Sequence, residues 1–187
     1  MKLIFLDRDG VISIFTPQDY VKNWGEFQFI DGAIDGLKKL YSNGYKLVII
    51  SNQAGLNRGL FSQEDLDDIT KRMKDVLKKE DVELTGTYYC RHTPEENCDC
   101  RKPKTGLFKQ AEQDIKGINY AEAYFIGDSD IDIIAGKSIG VKTVLVLTGK
   151  TKTRDEVNNW QIKPDFIFED LKTAAEFITK GNKNEKI

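Results

Sequence analysis

The chain has 187 residues, a formal net charge of −2 and a sequence pI of about 5.6. That length suits one α/β domain with a real core and is short for two. The mild acidity advertises no basic surface for nucleic acid or an anionic membrane, so the expected partner is a small molecule; a monomer is the expected state.

The first apolar run, residues 2–6 (KLIFL), is too short for the core of a signal peptide. No later run could span a bilayer, so a cytoplasmic location is expected. Further strands are predicted over 46–50, 123–127, 142–147 and 165–168. Amphipathic segments between them predict helices: one over 31–44 with Asp31 as N-cap and Gly44 at its end, and one over 62–80 with Ser62 as cap. Others are predicted over 104–115, over 130–140 closed by Gly140, and over 170–180. Residues 148–164 read as a polar connection and about 180–187 as a frayed tail. Short strands alternating with helices imply an α/β fold, a doubly wound, Rossmann-like parallel sheet forming a single domain over 1–187.

Ligands of open parallel sheets sit beyond the carboxyl ends of strands. The first strand ends in LDRDG, the second in SNQAG and the third in GDSDID, which delivers Asp7, Asp9, Ser51, Asn52, Asp128 and Asp132 to one edge. Two residues apart on an extended strand end, Asp7 and Asp9 point the same way. Clustered carboxylates repel, and a hard divalent cation such as Mg²⁺ offsets that cost. The alternative is that these residues are helix caps and turn formers.

All three cysteines and the one histidine fall within CRHTPEENCDC, residues 90–100. Cys90, His92, Cys98 and Cys100 have the spacing of a closed, tetrahedral Cys₃His site, whose natural role is structural zinc. Iron also fits such a set, and ordinary thiols or a redox group are the other readings. Neither of those explains why thiols are absent elsewhere. A clamped loop would fix Arg101 and Lys102, which follow Cys100 directly.

DRDGV, SNQ, RKPK and GDSDID occur in the order of the four motifs of the haloacid dehalogenase superfamily of Mg²⁺-dependent phosphatases, which the chain resembles from residue 3 to about 170. The resemblance implies Asp7 as the nucleophile and Asp9 as the general acid and base. It places Mg²⁺ on Asp7, the backbone carbonyl of Asp9 and Asp128, with phosphoryl oxygens held by Ser51 and Lys102. Asp132 would be a helix-side anchor. Asn52, Gln53, Arg58 and Arg101 are the expected substrate contacts, Arg101 serving a second phosphate. No large cap domain is expected, so specificity falls to loops 11–29, 53–61 and 91–101.

The zinc-loop arrangement resembles one branch of that superfamily, the heptose-bisphosphate and histidinol-phosphate phosphatases. YVKNWGEFQFIDGAIDGL and SNQAGLNRGLF look like the heptose enzymes, whereas the short His92-to-Cys98 spacing looks like the histidinol enzymes. Both substrates stay open, and a phosphatase of nucleic-acid ends is a third reading that the acidic pI disfavours. A phospho-accepting signalling domain would not need the second carboxylate, Asp9. A non-catalytic zinc module would need none of the acid set.

Overall fold

A computed structural model describes residues 1–180. Its β-strands and α-helices run β1 (Leu3–Leu6), α1 (Ala33–Ser42), β2 (Lys46–Asn52), α2 (Gln63–Lys79), β3 (Leu84–Cys90), α3 (Gly106–Asp114), β4 (Tyr124–Gly127), α4 (Asp130–Ile139), β5 (Lys142–Val146), α5 (Arg154–Val157), β6 (Phe166–Phe168) and α6 (Leu171–Thr179). The strands form one parallel sheet in the order β3-β2-β1-β4-β5-β6. The chain winds outward from β1 in one direction and from β4 in the other, leaving a topological switch between these two central strands.

Both faces of the sheet are covered, which is why its central strands read as unbroken apolar runs. Ile4, Leu6, Leu47 and Ile49 pack on one face with Leu37, Leu40, Ile69, Met73 and the apolar side of α6. Leu3, Phe5, Val48 and Ile50 pack on the other with Leu107, Phe108, Ala111 and Ala135. Each fully buried leucine, isoleucine or phenylalanine contributes about 1.5–3 kcal/mol through removal from water.

The helix ends follow local chemistry. Ser62 and Asp65 form the capping box of α2, and Gly140 closes α4 at φ +78°. The start of α1 departs from expectation: its N-cap is Gly32 at φ +74°, not Asp31. Glycine takes this left-handed entry without the Cβ clash an aspartate would meet. β3 was not anticipated, because LTGTYYC lacks a continuous apolar run, and the 148–164 connection contains the short helix α5. Apart from Lys180, which caps α6, the expected frayed tail lies outside the described residues.

Candidate active site

β1 and β4 lie side by side, with Leu6 opposite Ile126, and each runs out into an aspartate. The Asp7 N–H donates to the Ile126 carbonyl at 3.0 Å, which seats Asp7 beside the segment leading to Asp128. Two glycines let other chain segments close on Asp128. A Cβ on Gly10, itself at φ +88°, would lie 2.2 Å from Asp128 Oδ2, and one on Gly149 would lie 1.9 Å from the same oxygen. No side chain fits at either position.

Asp132 belongs to the capping box of α4. Its Oδ2 accepts from the N–H groups of Asp128 and Ser129, each at 3.2 Å, and from the Ser129 hydroxyl at 2.6 Å. Carboxylate oxygens of Asp7, Asp128 and Asp132 fall within 4.8 Å of one another. Burial pushes the Asp7 carboxyl up to about 6, with Lys102 opposing the rise and Asp132 adding to it. Burial, then repulsion by Asp132 and Asp7, holds Asp128 well above the usual carboxylate range. A divalent cation between Asp7 and Asp128 would favour their ionised forms, and the all-oxygen donor set suits Mg²⁺. Asp132 is less available to it, being engaged by the helix cap and by Lys102.

The Lys102 ammonium is fully buried and surrounded by acceptors. It lies 2.9 Å from Asp7 Oδ2, 2.7 Å from Asp132 Oδ1 and 2.8 Å from the Ile50 carbonyl oxygen. Burial alone would lower its pKa, but Asp132 and Asp7 outweigh that and raise it, so the charge persists. Asn52 latches the segment carrying it: Asn52 Nδ2 donates to the Lys102 carbonyl at 3.1 Å, and the Lys102 N–H donates to Asn52 Oδ1 at 3.0 Å. Asn52 therefore borders the cleft with both ends of its amide committed to backbone. Ser51, buried at the end of β2, has a hydroxyl that helps lower the Asp7 pKa.

Asp9 sits in a second network. Its carboxylate accepts from Arg8 Nε at 3.1 Å, Arg8 Nη2 at 2.8 Å, Ser13 Oγ at 2.8 Å and Gln53 Nε2 at 2.7 Å. Burial raises its pKa, yet the Arg8 guanidinium and these bonds prevail and hold it below the usual range. Arg8 is itself fully buried and also donates to Gln53 Oε1 at 3.0 Å. Gln53, expected to touch substrate, is instead fully buried behind Asp9. Its amide can accept from Arg8 and donate to Asp9 at once, which a carboxylate or an ammonium could not do.

The four soft donors converge as well. Cys100 Sγ lies 3.2 Å from Cys90 Sγ and 3.4 Å from Cys98 Sγ, and the remaining sulfur pair is 3.6 Å apart. His92 Nδ1 lies 3.2 Å from Cys100 Sγ and 3.7 Å from Cys90 Sγ. Zinc–sulfur bonds of about 2.3 Å in tetrahedral geometry separate sulfurs by roughly 3.8 Å, so the set fits zinc with slight expansion. Cys90 ends β3 opposite Asn52, and its carbonyl accepts the Gln53 N–H at 2.6 Å, which ties the zinc loop to the SNQ turn. Asn57 adds a clip, donating to both Glu96 carboxylate oxygens at 2.9 and 3.1 Å.

One open cleft is bordered by Asp7, Asp9, Ser51, Asn52, Arg101 and Asp128, facing Phe15, Thr16, Asp19 and Tyr20. Arg101 is steadied there by a bond from Nη1 to the His92 carbonyl at 3.2 Å. Arg58 does not border the cleft; its turn closes back on Ala54 and leaves the residue exposed. Three further residues were not singled out from sequence. Arg8 could have been suspected from its place between two acids, Gly149 from its position just past a strand end, and Lys150 from neither.

A family model described as HAD-hydrolase-like matches residues 99–174. The chain is 44% identical over 185 residues to the D-glycero-beta-D-manno-heptose-1,7-bisphosphate 7-phosphatase of Haemophilus ducreyi, spanning 95% of this chain and 98% of that one. Identity to the enzyme of that name from Escherichia coli K12 is 36% over 189 residues, spanning 96% and 95%. The crystal structure of D,D-heptose 1,7-bisphosphate phosphatase from B. bronchiseptica, complexed with magnesium and phosphate, matches with a TM-score of 0.88 at 29% identity, covering 96% of this chain and 99% of that one. Similarity over nearly the full length accompanies the strand-end chemistry, and the chain belongs to the haloacid dehalogenase superfamily, in the family of D-glycero-beta-D-manno-heptose-1,7-bisphosphate 7-phosphatases.

Proposed function

We propose that the chain is one catalytic domain that removes the 7-phosphate of D-glycero-D-manno-heptose 1,7-bisphosphate by way of an aspartyl-phosphate on Asp7. The observation that carries this reading is Asp7 itself, at the border of the cleft with the buried Lys102 ammonium 2.9 Å from its carboxylate. Mg²⁺, held by Asp7, Asp128 and the Asp9 carbonyl, would neutralise phosphate charge.

An Asp7 oxygen attacks phosphorus, the bond from phosphorus to the sugar oxygen breaks, and a proton brought in by the substrate phosphate reaches that oxygen by way of Asp9, which is ionised in the free enzyme. Asp9, ionised again and oriented by Arg8, Ser13 and Gln53, then takes a proton from the water that attacks phosphorus. The Asp7 carboxylate is restored as inorganic phosphate leaves. Ser51 and Lys102 hold phosphoryl oxygens where charge spreads. Dividing hydrolysis into two displacements lowers each barrier.

The zinc loop serves structure, carrying Arg101 at the rim. We place the protein in the cytoplasm as a monomer acting on a small sugar phosphate; no helix among the described residues is long and apolar enough to cross a membrane. The short His92-to-Cys98 spacing favours a second reading, histidinol phosphate as substrate. The test is kcat/KM for heptose 1,7-bisphosphate against histidinol phosphate with Mg²⁺ present and Asp7→Asn as the blank. A clear preference for the bisphosphate supports the first reading, and a preference for histidinol phosphate replaces it with the second.

A further inference from the structure

A bisphosphate brings a second dianion into a cleft whose floor is rich in carboxylates, so its non-scissile phosphate needs a cation away from that floor. Lys102 is unsuited to it, since it is buried with three acceptors already around it. Arg58 stands outside the cleft. Arg101 supplies one charge from the zinc-loop wall.

Across from it, the turn after β5 carries Lys150, exposed and bordering the same cleft. Among the described residues no acceptor lies within hydrogen-bond or ion-pair distance of its ammonium, whereas Lys22 is paired with Asp19 and Lys152 donates to the Thr148 carbonyl. Only its backbone is engaged.

That backbone is anchored to the catalytic floor. The Lys150 N–H donates to Asp128 Oδ2 at 2.6 Å, the Thr151 N–H donates to the Asp128 carbonyl at 3.1 Å, and the Thr148 hydroxyl donates to the Gly10 carbonyl at 2.6 Å. Gly149 is wedged against Asp128 with no room for a side chain. A turn fixed at four points presents one unpaired cation at the rim, and such preorganisation reduces the ordering cost when an anion binds.

We propose that Lys150 is a specificity-determining residue, receiving the non-scissile phosphate of a sugar bisphosphate across the cleft from Arg101. This rests on the bisphosphatase reading above. Lysine acts here as a mobile point charge rather than a bidentate fork, which suits a phosphate whose position varies with the anomer.

The test measures kcat/KM for heptose 1,7-bisphosphate and for heptose 7-phosphate in wild type, Lys150→Met and Lys150→Arg. The expected result is that the ratio of the two falls by about tenfold in Lys150→Met, chiefly through KM, and is partly restored in Lys150→Arg. A ratio within twofold of wild type overturns the proposal, as does an equal fall for both substrates. A wild-type enzyme that does not prefer the bisphosphate overturns the function proposed above and this assignment with it.

Discussion

The two metal-binding regions of this molecule are built in opposite ways. The acid site is imposed by the sheet: adjacent strands deliver Asp7 and Asp128, glycines make room for them, and a helix cap aims Asp132. The Cys₃His site has only one foot in the sheet, Cys90 at the end of β3, while its other three donors come from an irregular loop. The first region is ordered by folding and then binds its ion. The second has three of its four donors outside the sheet, so a zinc ion bound there would tie the loop together, with Cys98 and Cys100 also packed against the core.

Catalysis is the most sensitive probe of the first region. Asp7→Asn should keep the fold and lower kcat by about 10³-fold or more, the scale on which loss of a nucleophile is felt. Normal turnover by that variant would remove Asp7 from the mechanism. Gly149→Ala tests whether the sheet-built site tolerates crowding. Its new Cβ, 1.9 Å from Asp128 Oδ2, must displace that carboxylate, and a displacement near 1 Å costs about 10²-fold in rate. Unaltered kcat in Gly149→Ala would show the floor to be softer than described.

The loop responds differently. Removing zinc with a chelator, or replacing Cys98 with serine, should release one equivalent of metal, increase proteolysis between residues 91 and 101 and lower kcat/KM by roughly tenfold, with a smaller change in Tm. Stoichiometric zinc and unchanged kinetics in Cys98→Ser would show that the loop holds its shape without the Cys₃His clamp.

The smallest effect concerns Asp165, remote from both regions. It is paired with Lys137 and accepts from the Thr143 N–H and hydroxyl at 2.7 and 2.9 Å. Burial raises its pKa, but Lys137 and Thr143 more than offset this and lower it. A carboxyl depressed by folding adds stability that is fully present above its unfolded pKa, near 3.9, and lost as pH falls through the lower folded value. The wild type should exceed Asp165→Asn by less than about 1 kcal/mol at neutral pH, because solvent screens the pair. Melting curves should converge as pH falls below about 4; a gap that widens instead would reverse the sign.

The same contrast explains what was legible in the sequence. Strands buried on both faces announce themselves as apolar runs, and the acids that follow them are conspicuous, so β1, β2, β4 and β5 could be read with their strand-end residues. β3 lies at the sheet edge with most of its residues half-buried or exposed, and Thr-Gly-Thr-Tyr-Tyr carries no such run. Its β-branched and aromatic content was the available signal. Residue types showed that Arg8, Gln53 and Asn52 were polar, but whether each faces substrate or a neighbouring side chain depends on burial, which one-dimensional patterning does not report. The shared position of Gly10 and Gly149 against one carboxylate is likewise a long-range fact.

The placement of Lys102 carries a consequence for how cation and substrate bind together. The lysine's single positive charge is divided between Asp7 and Asp132 and can neutralise only one of the three carboxylates clustered there, while burial and repulsion hold Asp128 towards its protonated form. A divalent ion that draws Asp7 and Asp128 into their ionised forms would also supply the positive charge that a phosphate dianion needs on that surface. Cation and sugar phosphate would therefore be thermodynamically linked ligands, each raising the affinity of the other by the same factor. The apparent KM for substrate becomes a reading of the cation concentration around the protein.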